Sequence, residues 1–185
     1  MSEHVCPWWL GYALINPLRR FFHDPDKLLK QYVEEGMTVL DIGCGMGFFS
    51  LPMARMVGVS GKVVCVDLQD KMIRGLVNRA KKGALLGRID ARVCGGNHLG
   101  IEDIGGDVDF ALTFALIHEV PDKDRLLAEI AGAMKQQGKI LIGEPKGHVS
   151  KDDFDKTVSF AREAGFEAVD HPKIARTHAI VMRKK

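Results

Sequence analysis

The chain has 185 residues, 46% of them hydrophobic and 27% charged, the make-up of one ordinary globular domain long enough to bury a core without staples. Its 26 basic and 24 acidic side chains leave a formal charge of +2, which gives no global field to draw in nucleic acid. No run approaches the ~20 apolar residues of a membrane span, so neither a membrane nor a polyanionic partner is expected.

Residues 1–33 read as an N-terminal helical segment, unusually aromatic (Trp8, Trp9, Tyr12, Phe21, Phe22) and interrupted by Asn16-Pro17. No charged start leads there into a long apolar run, which makes cytoplasm the expected location. Cys6, Cys44, Cys65 and Cys94 form no C-x-x-C pair. The last three sit in or beside expected strands and read as small reduced thiols, and no metal site is expected.

From residue 34 onward, short apolar runs alternate with helical patterns. Strands are expected at 38–42, 62–67, 89–94, 108–113 and 139–143, most of them continuously apolar at their centres, as strands covered on both faces are. Met72, Leu76 and Ala80 mark a helix between 71 and 82. Pro121 opens another, with Leu126, Leu127, Ile130 and Met134 on one stripe and Gln137-Gly138 as its stop. Ser150 with Asp153 resembles a capping box; Phe154, Val158 and Ala161 follow on one face, and Gly165 ends the helix. Residues 166–170 and 177–182 read as two strands joined by a link too short for a parallel return, hence an antiparallel hairpin. The order predicts an α/β domain over 34–185, doubly wound, with a mostly parallel seven-stranded sheet ending in that hairpin.

The most informative stretch is Asp41-Ile42-Gly43-Cys44-Gly45-Met46-Gly47-Phe48-Phe49, where a strand runs through three alternate glycines into a helix. Glycine lets the chain turn sharply and a ligand approach the backbone, and the helix start adds unpaired N–H groups. The sixth position of G-x-G-x-x-G is Phe48, not glycine, which disfavours a pyrophosphate ligand. Asp41 suits a ligand carrying an ammonium group. Asp67, closing the second strand, can accept both hydroxyls of a ribose, or else cap the helix beginning near Gln69.

Asp41-x-Gly43-x-Gly45-x-Gly47, then Val66-Asp67-Leu68, then Gly95-Gly96-Asn97, resemble motifs of the class I S-adenosylmethionine-dependent methyltransferases. So do 110–120 and the turn Met134-Lys135-Gln136-Gln137-Gly138. The nearest branch looks like the small-molecule, quinone-biosynthesis enzymes (methyltransferase type 11), with a Rossmann-like fold. The resemblance implies S-adenosyl-L-methionine as cofactor, its methionine part on the glycine loop, its ribose on Asp67 and its adenine between Asn97 and His98. The family has Asp where Asn97 stands; Asn accepts through its amide oxygen. Cys44, Leu68, Met72, Gly96 and Phe114 complete the implied cofactor-binding set with Asp41, Gly43, Gly45 and Gly47.

Ligands of open α/β sheets bind beyond the carboxyl ends of the strands. That brings 114–119 and 144–148 around the transferred methyl, with His118 as first candidate for base or substrate anchor and Glu144, Glu119 and His148 behind it. No Asn-Pro-Pro-Tyr-like run or Pro-Cys pair occurs, against adenine, glutamine or cytosine methylation, and little of the chain is spare for a recognition domain. The expected function is methyl transfer to a small molecule. An NAD-dependent oxidoreductase and a non-catalytic cofactor-binding protein of the same fold remain open alternatives. The aromatic segment 1–33 is a candidate lid that keeps water from the reacting atoms.

Overall fold

The computed structural model describes residues 23–96 and 98–185. Seven strands among them form one sheet: β1 (Thr38–Ile42), β2 (Lys62–Asp67), β3 (Ile89–Val93), β4 (Val108–Phe114), β5 (Met134–Pro145), β6 (Phe166–Asp170) and β7 (Thr177–Lys184). Their order is β3-β2-β1-β4-β5-β7-β6. The first five run parallel, and β7 lies antiparallel between β5 and β6. The helices are α1 (Pro25–Leu29), α2 (Ser50–Met56), α3 (Asp70–Lys82), α4 (Lys123–Ala133) and α5 (Lys151–Glu163). This is the doubly wound sheet with a terminal hairpin that the alternating pattern predicts.

Strand alternation sends neighbouring side chains to opposite faces, so each apolar strand serves two cores. On one face Leu40, Ile42, Val64, Val66, Ala111, Ile140 and Ile142 meet Leu127, Ile130, Phe154 and Val158 of α4 and α5. On the other, Val39, Val63, Cys65, Phe110, Leu112 and Leu141 meet Leu29, Met53 and Leu76 of α1, α2 and α3. Each such fully buried large side chain contributes roughly 1.5–3 kcal/mol relative to exposure. Among the described residues no helix is long and apolar enough to cross a membrane.

Helix ends follow local chemistry. Ser150 caps α5 in reciprocal fashion: its Oγ accepts from the Asp153 amide at 3.1 Å and donates to the Asp153 carboxylate at 2.7 Å. Asp122, not Pro121, caps α4, accepting the Arg125 amide at 3.0 Å. That helix also stops earlier than its apolar stripe suggests. Met134, fully buried, is drawn into the sheet opposite Val108 and opens β5. The next pair is Lys139 with Phe110, so residues 135–138 bulge out around a left-handed Gln137 at φ 66°. Gln137-Gly138 is therefore a kink inside β5. Lys135, carried outward, pairs with Asp109 at 2.6 Å, and the other oxygen of Asp109 takes the Thr38 amide at 2.9 Å. Within 1–33 the described helix is α1 alone, and Leu29 and Val33 there belong to the core and not to a lid; Cys6, Trp8, Trp9, Tyr12, Phe21 and Phe22 lie outside the described residues.

Candidate functional site

β1 stands where the strand order reverses, with β2 on one side and β4 on the other. A crevice opens beyond the carboxyl ends at such a point, and the glycine loop enters it directly from β1. The amides of Gly43 and Cys44 bond the Val66 carbonyl at 2.8 and 3.2 Å, pinning the loop to the end of β2. Gly43, Gly45 and Gly47 all hold left-handed φ values of 70°, 53° and 82°, which side-chain-bearing residues avoid.

The three glycines differ in what surrounds them. A Cβ on Gly43 would lie 2.8 Å from a Leu116 methyl, and one on Gly47 would lie 2.3 Å from a Leu76 methyl. Both are packing glycines. A Cβ on Gly45 would meet nothing within 4 Å. The middle of the loop thus presents bare backbone to open space, as a cradle for a ligand would. Gly75, in the middle of α3, completes the support: its missing Cβ leaves room for Met46, whose carbonyl also accepts from Arg79.

Two carboxylates flank this loop. Asp67 ends β2 and accepts the amide of Gly45 through one oxygen and that of Gln69 through the other, both at 2.9 Å. Burial pushes its carboxyl above the usual range, and the amides of Gln69 and Gly45 pull back. Asp67 therefore meets the glycine loop and the start of α3 together, so the cap reading and the ligand reading share one geometry. Asp41 differs from its expected place. It is 3% exposed and accepts the Ser50 hydroxyl at 2.5 Å, so it lies beneath the loop, on the first residue of α2.

Across the crevice, β4 leads into Leu116 and a 3-10 turn, Ile117–Glu119, that carries His118. His118 Nδ1 lies 2.5 Å from Glu144 Oε2, and Glu144 Oε1 accepts the Ile117 amide at 2.7 Å. Glu144 is 1% exposed at the end of β5, whereas the His118 side chain keeps 22% of its surface. The His118 and His148 rings stand edge to face with centroids 5.9 Å apart. The hydrogen bond to Glu144 raises the His118 pKa above its ordinary 6.5, against the pull of burial.

A model of the methyltransferase domain family matches residues 33–179. The chain belongs to that family. It is 31% identical over 140 residues to the ubiquinone/menaquinone biosynthesis C-methyltransferase UbiE of Idiomarina loihiensis, covering 72% of this chain and 54% of that one. It is 29% identical over 157 residues to the demethylmenaquinone methyltransferase of Lactobacillus johnsonii, covering 81% and 64%. The chain thus spans little more than half to two thirds of these curated relatives. Among solved structures, a SAM dependent methyltransferase from Aquifex aeolicus superposes with a TM-score of 0.85 at 24% identity, over 97% of this chain and 98% of that one.

Within this methyltransferase domain the expected site residues fall into groups. Gly43, Gly45, Gly47, Asp67, Leu68, Phe114, His118 and Glu144 all lie at the carboxyl ends of β1, β2, β4 and β5. Gly96 and His98 follow β3 at the same end and are exposed, while Asn97 lies outside the described residues. Phe114 is wedged between His23 and Phe49, at 5.1 and 4.8 Å, where Gly143 leaves room for its ring. Cys44 and Met72 are buried, and burial, with Cys65 beside it, pushes the Cys44 thiol well up. Cys44, Cys65 and Cys94 are free thiols. Ser50, Gly75, Arg79 and Leu116 were not legible as site residues; only the glycine inside a helical pattern offered a signal, since it weakens a helix unless something packs there. A groove of about 630 Å³ runs between α5 and the β6–β7 link, lined by Lys146, Phe154, Arg162, Lys173 and His178 among others. Neither the glycine loop nor Asp67 nor His118 lines it, so it is a feature apart from this crevice.

Proposed function

We propose that the chain transfers a methyl group from S-adenosyl-L-methionine to a small-molecule acceptor. The observation that carries this reading is the Gly45–Asp67 pair: bare left-handed backbone facing open space, bonded to a carboxylate at the end of β2. Such a cradle fits a nucleoside ligand without phosphates, and the family match makes S-adenosyl-L-methionine that ligand. Gly43, Gly45 and Gly47, with Asp41 behind them, would hold the methionine part. Asp67 and Leu68 would hold the ribose. Gly96, Asn97 and His98 would flank the adenine, and Cys44, Met72 and Phe114 would close the apolar walls. Bound there, the cofactor supplies an electrophilic methyl on sulfonium sulfur.

The chain's own part is positioning, water exclusion and, for an acceptor that carries a proton, a base. His118 is the residue assigned to that proton, lying beyond β4 with an edge in solvent contact. The small-molecule assignment draws on the quinone-biosynthesis relatives and on a net charge of +2 that offers little to a polyanion. Free cysteines accord with a cytoplasmic location.

Calorimetry with S-adenosylhomocysteine, followed by methyl transfer from radiolabelled cofactor into metabolite pools and into RNA, tests the reading. Binding with label in a small molecule is the expected result. Tight NADH binding with no S-adenosylhomocysteine binding overturns it, and label confined to RNA overturns the acceptor class. The aromatic part of segment 1–33 that precedes α1 is proposed as a lid over the crevice. Deleting residues 1–14 is expected to leave a folded domain that has lost cofactor retention or methyl transfer; outright unfolding, or undiminished transfer, excludes the lid.

A further inference from the structure

Glu144 is the most buried carboxylate among the described residues, at 1% exposure. A charge so placed is costly unless its oxygens are satisfied, and here both are. Consecutive residues of one 3-10 turn supply the donors: the Ile117 amide at Oε1, 2.7 Å away, and His118 Nδ1 at Oε2, 2.5 Å away. The Ile117 amide can only donate, which orients the carboxylate. The remaining oxygen can only accept, so Nδ1 carries the hydrogen. A neutral imidazole has one N–H, and Nε2 is left with its lone pair. The next carboxylate, Glu119 Oε1, stands 4.0 Å from Nε2, beyond hydrogen-bond reach.

We infer that Glu144 is a positioning residue that locks His118 in the Nδ1–H tautomer, so that Nε2 is the atom offered to the acceptor's proton. The inference rests on the methyl-transfer reading for the identity of that proton. With S-adenosyl-L-methionine bound, the acceptor's electron pair would form the new bond to the methyl carbon, and the pair of the broken C–S bond would stay on sulfur. The acceptor's proton passes to Nε2. The resulting imidazolium then has its Nδ1–H against the Glu144 carboxylate, and Nε2–H returns the proton to water. Glu144, 1% exposed with both oxygens engaged, has no free surface to offer acceptor or cofactor. The other groups facing the ring are Glu119, which also favours the cation, Lys123, which opposes it, and His148 at 5.9 Å.

A buried Glu144 with a purely structural role would hold the turn but leave the ring's proton chemistry indifferent to it. Long-range proton–nitrogen NMR on the ¹⁵N-labelled full chain, without cofactor or acceptor, separates the two. The signal is assigned by its disappearance in His118→Gln. Neutral His118 is expected as the Nδ1–H tautomer, titrating above an ordinary histidine. In Glu144→Gln its midpoint is expected to fall and its Nε2–H form to appear, because the Ile117 amide holds the one amide oxygen and leaves Nδ1 facing an NH2 group, which donates and cannot accept. Wild-type protein showing the Nε2–H tautomer overturns the inference, even if the variant fails to fold. So does a variant whose titration and tautomer match wild type. These readings need no turnover, so their failure is distinct from failure of the methyl-transfer assignment.

Discussion

The carboxylate of Asp67 and the amide of Gly45 are 22 residues apart in the chain and 2.9 Å apart in the fold. This contact ties the end of β2 to the open centre of the glycine loop. Asp67→Ala removes the acceptor for two amides together with the proposed ribose contact. S-adenosylhomocysteine binding is expected to weaken by about 1.5–3 kcal/mol, the range for a hydrogen bond to a charged group, while Asp67→Asn, which keeps one oxygen, loses less. Calorimetry decides: unchanged affinity in Asp67→Ala takes the residue out of the site.

Gly45 and Gly47 make opposite demands. The Cβ of Gly45→Val enters open space, so the folded state bears only the cost of a left-handed backbone, roughly 1–3 kcal/mol, while the cradle is filled and binding is abolished. The Cβ of Gly47→Ala drives into Leu76 on α3, and overpacking of about 1–3 kcal/mol adds to the same backbone cost. Gly47→Ala should therefore lower Tm at least as much as the bulkier Gly45→Val does. Thermal melts beside binding isotherms check both, and normal binding by Gly45→Val would show that the loop is not the cradle.

Asp41 and Ser50 test the support beneath the loop. Ser50 is fully buried and donates to a carboxylate that is 3% exposed. Ser50→Ala is expected to cost about 1.5–3 kcal/mol in urea unfolding, because a buried charge loses a donor. Adding Asp41→Asn should cost less than the two single changes summed, since the residues share one interaction. Additivity would mean that the bond contributes nothing.

How much of this was legible beforehand differs with the physical origin of each feature. β1 and β2 lie within their expected bounds because continuous apolar runs edged by turn residues leave little choice of length. The apolar stripe carries α4 past its true end, because Met134 satisfies the helical stripe and the buried sheet equally and the pairing with Val108 decides. Asp41 was expected in the crevice, since sequence shows an acid before the glycines but not the Ser50 hydroxyl that turns inward to it. The pairing of His118 with Glu144 joins residues 26 positions apart. Each was legible as a candidate, but not their relation, which the parallel registration of β4 and β5 creates.

The same pair predicts opposite pH trends for stability and for methyl transfer. Its hydrogen bond to Glu144 raises the folded-state pKa of His118 above 6.5, the value it recovers on unfolding. Between those two values the folded protein binds the extra proton, so the unfolding free energy falls as pH rises. The pairing's contribution is complete below about pH 6.5 and is lost as pH climbs through the folded pKa. Subtracting the urea-unfolding free energies of His118→Gln from those of wild type cancels the other histidines, and this difference should shrink with rising pH across that window. Catalysis runs the other way: a base must be unprotonated to accept a proton, so methyl transfer should rise as stability falls, with its midpoint at the same raised pKa. In Glu144→Gln both midpoints should move down together. A stability difference flat from pH 6 to 8.5, measured beside the rate profile, would show that the pairing does not hold the proton and that another group sets the pH dependence.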